Sequence, residues 1–425
     1  MAIGISFYGI VEPLANFTSP PAFTGWEAES PQAAEGALSL AFMHWGLHPY
    51  ALYTTAGLVC AFMVMNCGRK FQISSSLFPL IGKASDGTAG KIVNSICIFA
   101  LIGGIGTSLG IGVMQLATGV NYVFGTEFPM ELLALVFIVV MAIVYIGAAC
   151  SGIFKGIKHV SNINVFVYLG MLVCALVFGN LLFTVDNTIS SVGKYLTILV
   201  PQSFYLEPAV QSGWVKGNTI FYWAWWLSAA PLIGLFLAKL SRGRTIRQFV
   251  LMNMLAPTLF AIAWFGIFGS SAINMQMNGS DLAQTVAELG PAVSLFAFAR
   301  EIPPSALFVA LSFICIAISF ITLAESMTLT ISDMVTKEHV LRMREARGKG
   351  SPAVFKIFWG ALIGMVAFIL LNSGGLVALQ TASVVCGLPI LILMLIQAAA
   401  FVKCMVHRED YDLTLKNDEA HLVEL

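Results

Sequence analysis

Three tryptophans within four positions are the residues of this sequence best suited to bind a ligand. They lie in FYWAWWLSAAP (221–231), inside a long apolar run, and Ser228 and Pro231 follow about one turn later. A single tryptophan in a membrane helix usually lies at the lipid interface, but a group of three inside the run does not fit that explanation. Pro231 leaves a backbone group that must be satisfied by protein or by a water-filled cavity. The segment therefore predicts an interior helix that approaches a polar or cationic group.

A second aromatic cluster lies in FMHWGLHPYALY (42–53). It contains Trp45, Tyr50 and Tyr53, and the two tyrosines are three positions apart on one helix face. Aromatic faces attract cations, and several faces together can hold a quaternary ammonium ion, which has no hydrogen to donate. Two such clusters on two interior helices predict one shared cage or, equally, tight aromatic packing in the core.

Two histidines and two carboxyl groups are the other candidates for chemistry. His44 and His48 are four positions apart, but the absence of a third ligand favours hydrogen-bonded histidines over a metal site. Glu12 and Glu325 lie in or beside apolar segments, where a carboxyl group is costly and serves either function or helix contacts. The sequence contains no nucleophile–base pair that would indicate an enzyme. The glycines of GGIGTSLGIG (103–112) predict close helix packing, not a nucleotide loop.

The composition indicates that the segments carrying these residues lie in a lipid bilayer. The 425 residues are 58% hydrophobic and only 10% charged, against about 25% charged in soluble domains. The net charge of +0 gives no electrostatic footprint for nucleic acid, and the eight cysteines include no C-x-x-C pair. A membrane-spanning helix needs about 20 apolar residues, which predicts an all-α polytopic membrane protein. The nine full candidate spans are 36–65, 92–117, 131–150, 160–184, 217–241, 249–270, 305–333, 354–373 and 382–403.

Basic residues predict the orientation of these spans. With the end of the first full span on the cytoplasmic side, 19 of the 22 Lys and Arg residues fall on that side. This arrangement divides the chain into a transmembrane domain, 1–403, and a cytoplasmic tail, 404–425. Residues 1–11 are too short to cross and predict the end of a helix whose first half is missing. An amphipathic helix at about 189–206 is expected to lie at the outer interface.

Several motifs occur together in one order along the whole chain. They are EP and SPP (12–21), HWGLHPYALY (44–53), GTSLGIG (106–112), KGIKHVSNIN (155–164) and TIFYWAWWLSAAPLIGLFLAKLSRGRTIRQF (219–249). In this the chain resembles the betaine/carnitine/choline transporter family. The resemblance implies a LeuT-like core of two inverted five-helix repeats, a substrate near the membrane midplane and alternating access. It also implies a homotrimer in contact with membrane lipid.

The resemblance implies an aromatic box around a trimethylammonium or dimethylsulfonium head group. The substrate-binding residues that it implies are Trp45, Tyr50 and Tyr53 from one helix and Trp225 and Trp226 from another. Where members of the family have further aromatic residues, this chain has Ala15 and Ala229. Both differences are expected to enlarge the pocket.

The coupling residues implied by the resemblance differ from those of sodium-coupled members. One sodium site uses consecutive hydroxyl groups, and the matching pair here is Thr322 and Leu323. A second site uses two threonines, whose places are taken by Leu101 and Ile105. An apolar side chain cannot bind a hard cation that prefers oxygen. A sodium ion therefore remains only a possible cofactor.

Members that work without sodium carry an arginine where this chain has Asn164. Lys158, one turn away, could reach the same space but is better explained as a lysine at the cytoplasmic end of its helix. Glu325 is a candidate proton carrier. Thr322, Asn164 and Glu325 are therefore the candidate coupling residues, with sodium, protons and exchange all left open.

The expected function is a secondary transporter of a quaternary-ammonium or related compatible solute in the bacterial inner membrane. Betaine, carnitine, choline and dimethylsulfoniopropionate are the types of substrate considered. Met1 falls within the glycine-rich G-x-G-x-G segment of the family, so the chain is expected to be N-terminally truncated. The alternative is a truncated, non-transporting remnant or a ligand-binding sensor of the same fold.

Overall fold

Helices form most of the chain in a computed structural model of the protein. The structure describes residues 2–151, 154–345 and 350–415, with side chains except at 2, 154–160, 342 and 345. Within these ranges there is no β-strand. The prediction of an all-α protein is confirmed.

Sixteen α-helices lie within the described ranges. They are α1 (Ala2–Thr18), α2 (Pro31–Trp45), α3 (Leu47–Met65), α4 (Phe78–Ile81), α5 (Thr88–Phe124), α6 (Met130–Ser151), α7 (Phe154–Phe178), α8 (Leu181–Ser203), α9 (Phe221–Leu240), α10 (Ile246–Met277), α11 (Leu282–Leu289), α12 (Ser294–Glu301), α13 (Ser305–Val335), α14 (Glu338–Glu345), α15 (Ala353–Val406) and α16 (Arg408–Tyr411).

The long helices account for the predicted spans. Among the described residues, eight helical segments are long and apolar enough to cross a membrane. The last of them, α15, has 54 residues and contains both of the final predicted runs. At about 1.5 Å per residue it is far longer than the roughly 30 Å hydrocarbon core. Its helical geometry is interrupted at Gly374 and at Gly375, which has φ 57°, so the two runs remain distinct segments.

The amphipathic segment begins earlier than its sequence indicated. The preceding helix, α7, ends at Phe178, and α8 covers Leu181–Ser203 in place of 189–206. Asn180 explains the early start, because its side chain accepts a hydrogen bond from the Phe183 backbone N–H at 3.2 Å. The helix packs against α2 and α10.

The first helix also extends beyond its predicted end. The apolar fragment 1–11 continues through Pro13 as far as Thr18. Most of α1 is buried, and it packs against α2, α5 and α10. These contacts place Glu12 inside the protein and not at its edge.

Small residues let the central helix, α9, approach its neighbours closely. It packs against α3, α5 and α15. A Cβ added at Gly104 of the glycine run would stand 2.1 Å from the Ser228 hydroxyl oxygen. A Cβ at Gly110 would be 2.4 Å from Leu379. The prediction that the 103–112 glycines serve helix packing is confirmed.

The chain after α15 is held against the end of α3 by a buried carboxylate. Asp412 accepts hydrogen bonds from the Thr414 hydroxyl at 2.5 Å and from Arg408 Nη2 at 2.8 Å. Burial alone would raise the pKa of Asp412, but the hydrogen bonds from Thr414, Arg408 and Asn66 lower it overall. The part of the predicted tail from residue 416 onward lies outside the described residues.

Candidate functional site

Trp226 lies at the centre of the aromatic cluster. Its ring is 5.4 Å from Trp45, 5.7 Å from Tyr50 and 5.2 Å from Tyr53, measured between centroids. All three contacts are edge-to-face, an arrangement that aromatic pairs favour. Trp226 is only 4% exposed, and its indole N–H has no hydrogen-bond partner among the described residues.

Trp225 joins the same cluster through its contact with Trp45. The two rings are 6.1 Å apart and nearly perpendicular. The indole N–H of Trp225 donates to the Gly104 carbonyl at 3.1 Å and to the Ser108 hydroxyl at 3.2 Å, which fixes the ring against α5. The structure therefore brings all five predicted box residues together, while their role in binding stays a prediction. The third tryptophan, Trp223, stacks on His48 outside the cluster.

The three residues expected on one helix belong to two. Trp45 is the last residue of α2, whereas Tyr50 and Tyr53 lie in α3. The helix breaks at Gly46, where a Cβ would stand 2.4 Å from the Phe42 carbonyl oxygen. Pro49 contributes as well, because a proline cannot continue the hydrogen bonding of a helix. The break places Trp45 and the two tyrosines on separate helices.

A small cavity lies between the rings. Trp45, Tyr53, Trp225 and Trp226 line it, whereas Tyr50 packs behind Trp226. The cavity has about 20 Å³ of room for the centres of water-sized molecules, enough for about one water. A methylated ammonium group would therefore have to separate the rings in order to bind.

The two alanines expected to enlarge the pocket differ in position. Ala229 lines the cavity, in agreement with that expectation. Ala15 lies on the exposed part of α1 and not at the cavity. The expectation for Ala15 is wrong, because α1 turns this position away from the aromatic cluster.

Gly4 explains how α1 closes the cluster. A Cβ at this position would stand 2.7 Å from the Trp45 ring and 3.1 Å from the Trp225 ring. Only a residue without a side chain allows α1 to pack so closely against both rings. The sequence analysis did not single out this glycine, whose neighbours are distant in the chain.

The two histidines have separate hydrogen-bond partners. His44 Nδ1 is 2.5 Å from Glu12 Oε1, and His44 Nε2 is 2.9 Å from the Thr219 hydroxyl. His48 Nε2 is 2.7 Å from the Ser203 hydroxyl. Among the described residues no group of three His, Cys, Asp or Glu side chains could hold a metal ion. Both histidines are hydrogen-bonded, as expected.

Two tyrosines complete the cluster and were missed in the sequence. Tyr8 lies 5.7 Å from Trp45 and 6.1 Å from Trp225 between ring centroids. Tyr222 lies 5.0 Å from Tyr8 and 5.5 Å from Trp45. The sequence did contain a signal for Tyr222, since it precedes Trp226 by one helical turn and so lies on the same helix face.

Two of the three candidate coupling residues lie near each other. Asn164 Nδ2 donates to the Ser319 hydroxyl at 3.0 Å, one turn before Thr322 on α13. The Thr322 hydroxyl donates to the Ile318 carbonyl at 2.9 Å. Asn164 Oδ1 is buried without a hydrogen-bond partner among the described residues. This polar cluster lies between α7 and α13.

The remaining coupling positions provide little polar chemistry. Ile105 and Leu323 line the cavity with apolar side chains, and Leu101 is fully buried. Glu325 is buried on α13 away from the cavity, and Lys356 interacts with it electrostatically. The side chain of Lys158 lies outside the described residues.

A family model, described as betaine/carnitine/choline family transporter, matches residues 1–410 of this chain. The chain belongs to the betaine/carnitine/choline transporter family. The eight apolar helical segments found in the described part of the chain agree with a multi-pass membrane protein of this family. Membership also supports the prediction that the chain is not an enzyme.

Three relatives within the family are matched along most of their length. The glycine betaine transporter OpuD of Bacillus subtilis is 36% identical over 95% of this chain and 77% of its own length. A probable glycine betaine transporter of Desulfitobacterium hafniense is 34% identical over 95% of this chain and 79% of its own. The ectoine/hydroxyectoine transporter of Virgibacillus pantothenticus is 34% identical over 95% of this chain and 78% of its own length.

Proposed function

We propose that this member of the betaine/carnitine/choline transporter family moves a small compatible solute with a cationic head group across the bacterial inner membrane. The observation that carries the proposal is the gathering of Trp45, Tyr50 and Tyr53 around Trp226, with Trp225 packed against Trp45. Betaine, carnitine, choline and dimethylsulfoniopropionate types remain the proposed substrates, and the name of one relative adds ectoine. Glycine betaine is the first solute to test, because two of the relatives are named for it.

The proposed binding energy comes from the aromatic faces. Each face that contacts a desolvated methylated cation contributes about 0.5–2 kcal/mol. Trp226 carries the largest share, since it contacts three other rings of the box. Binding separates rings that are now in contact, so the box has to open to admit its ligand.

The proposed transport cycle is alternating access by a core of two inverted repeats. The first repeat comprises α1, α2 with α3, α5, α6 and α7. The second comprises α9, α10, α13 and the two segments of α15. The break at Gly46 lies within a single span and supports this arrangement, because interrupted helices are typical of such transporters.

The proposed coupling does not use sodium. Leu101, Ile105 and Leu323 offer no oxygen to a cation that needs several. Thr322 and Asn164 lie near each other but contribute only two side-chain oxygens. Glu325 is the coupling candidate that can carry a proton, so we favour protons or exchange.

The proposed orientation has the C-terminus in the cytoplasm. It rests on the asymmetry of 19 of 22 basic residues and gives a transporter domain of 1–403 followed by a tail. The proposed assembly is a homotrimer in lipid. Many exposed apolar side chains on α6, α7 and α10 are available for lipid and subunit contacts.

Removing the central tryptophan tests the proposal. We expect Trp226→Leu to weaken glycine betaine binding by more than about tenfold, since it removes one face and the contacts of three rings. Binding is measured by titrating the purified protein with glycine betaine. Uptake is measured in proteoliposomes that contain the same protein in their membrane. The matched control is Trp223→Leu, on the same helix but outside the box.

Binding and uptake separate the possible outcomes. Unchanged affinity in Trp226→Leu would count against the aromatic box. Normal binding with no uptake by the wild-type protein would indicate a ligand-binding sensor in place of a transporter. A matching loss in Trp223→Leu would indicate general damage to α9.

A further inference from the structure

One indole N–H at the aromatic box is buried and unused. Three tryptophans line the cavity, and two of their indole N–H groups already have acceptors. Trp45 donates to Glu12 Oε2 at 2.8 Å, and Trp225 donates to the Gly104 carbonyl at 3.1 Å. The indole nitrogen of Trp226 is buried without a hydrogen-bond partner among the described residues. The Trp226 N–H is therefore a spare donor at the cavity.

A spare donor of this kind is uncommon because it is costly. A polar group that leaves water for the protein interior loses its hydrogen bonds to water, and only a new acceptor recovers that loss. Most buried donors in folded proteins have such an acceptor. Trp226 lines a cavity with room for about one water molecule. We therefore expect the content of this cavity to supply the missing acceptor.

The other side chains at the cavity offer few further donors. The Ser108 hydroxyl donates to the Gly104 carbonyl at 3.2 Å and accepts from Trp225. The Tyr53 hydroxyl forms no hydrogen bond with the described residues, so it competes with Trp226 as a donor. The remaining described residues of the lining are apolar, namely Gly4, Ile105, Ala229, Ile233 and Leu323. The side-chain donors left for a ligand are therefore the Trp226 N–H and the Tyr53 hydroxyl.

The chemistry of this lining favours a ligand that carries both signs of charge. The described residues that line the cavity are all uncharged, so none of them neutralises an anionic ligand. The aromatic faces attract a cation, whereas the Trp226 N–H donates to an oxygen atom. A zwitterion satisfies both groups and brings its own counter-charge. A tetraalkylammonium ion satisfies the faces only and leaves the N–H without an acceptor.

We propose that the box selects zwitterionic solutes, whose methylated cation lies against the aromatic faces and whose carboxylate accepts a hydrogen bond from the Trp226 indole N–H. The inference rests on the proposed function, because it requires a cationic head group in the box, and it narrows the ligand to solutes that carry a carboxylate. A hydrogen bond to a carboxylate is charge-assisted and roughly twice as strong as one to a neutral oxygen. Glycine betaine therefore binds more tightly than choline, which ends in a neutral hydroxyl group.

The test compares two ligands in a variant that keeps an aromatic face but lacks the N–H. In Trp226→Phe the face becomes smaller for every ligand, whereas the hydrogen bond is lost only by a ligand that accepts one. Tetramethylammonium accepts none, so its affinity reports on the face alone. Isothermal titration calorimetry of the purified full-length protein measures both affinities. We expect the affinity for glycine betaine, relative to that for tetramethylammonium, to fall by about tenfold.

Two further variants locate the donor. The matched control is Trp223→Phe, because Trp223 lies on the same helix and its indole nitrogen is also buried without a partner among the described residues, but it does not line the cavity. Its affinity ratio should stay at the wild-type value. Tyr53→Phe removes the competing hydroxyl group and keeps the ring. Size-exclusion chromatography checks the folding of each variant.

The outcomes distinguish this inference from the proposed function. Equal losses of both ligands in Trp226→Phe overturn the inference and leave the aromatic box intact, because only the ring face then matters. A fall of the ratio in Trp223→Phe, or in Tyr53→Phe but not in Trp226→Phe, also overturns it, as does wild-type binding of choline as tight as that of glycine betaine. An absence of binding of all three ligands to the wild-type protein rejects the proposed function, and the inference with it.

Discussion

At the residue scale, three apolar side chains occupy the positions on which the proposed coupling depends. Ile105 and Leu323 line the cavity, and Leu101 is fully buried nearby on α5. A sodium ion needs several oxygen ligands at once. Of these four positions only Thr322 has a hydroxyl group, and that group already donates to the backbone of its own helix.

We therefore expect sodium to have little influence on ligand binding. Replacement of sodium by potassium should change the affinity for glycine betaine by less than about twofold, because too few oxygens surround any one point. Tryptophan-fluorescence titration in the two buffers measures this. In Leu323→Ser a second hydroxyl group stands beside Thr322, and sodium should then tighten binding. A strong sodium effect in the wild-type protein would contradict the proposed coupling.

At the element scale, glycines decide where helices break. Gly46 lies between α2 and α3, so Trp45 and Tyr50 belong to separate helices. Gly375 has φ 57° and ψ −136° within α15, a backbone conformation that a residue with a Cβ avoids. Hydropathy alone shows that the segments on either side of each break are apolar. It does not show where the breaks lie.

We expect Gly375→Ala to destabilise the protein by about 1–2 kcal/mol or more. The reason is backbone strain alone, because no atom lies within 4 Å of an added Cβ at this position. The matched control is Gly147→Ala on α6, which also has nothing within 4 Å but lies within a regular helix. That change should stabilise by about 0.5–1 kcal/mol. Thermal unfolding in detergent compares the two, and equal effects would contradict the assignment of the break.

At the scale of the whole molecule, charge is distributed unequally between the two ends of the helices. Lys194, Lys216 and Arg300 are the basic residues expected outside, against 19 on the other side. Such an asymmetry orients membrane proteins during insertion. It does not depend on any tertiary contact.

We expect the C-terminus to face the cytoplasm. A green fluorescent protein fused there should fluoresce, and an alkaline phosphatase fused there should be inactive, because each folds on only one side of the membrane. The control is the same pair of reporters inserted at Gly125, between α5 and α6, where the results should be reversed. Active phosphatase at the C-terminus would invert the proposed orientation.

Much of the fold could be predicted because lipid imposes simple demands on a sequence. Each crossing has to be apolar and helical, so the nine runs could be found from composition and length alone. The ends of the helices were harder to predict from the sequence. The start of α8 at Leu181 depends on one cap at Asn180, and the extension of α1 to Thr18 depends on its contacts with α2 and α10.

The sequence by itself determined that the protein spans a membrane and that its aromatic residues fall in two groups, since both properties belong to local segments. Only the tertiary structure decided that Glu12 meets His44 and Trp45, more than thirty positions away. It also decided that Ala15 faces away from the cavity while Gly4 closes it. The physical reason is that contacts between helices depend on how each helix is rotated and where it breaks. Those features are set by packing against neighbours that a local pattern does not contain.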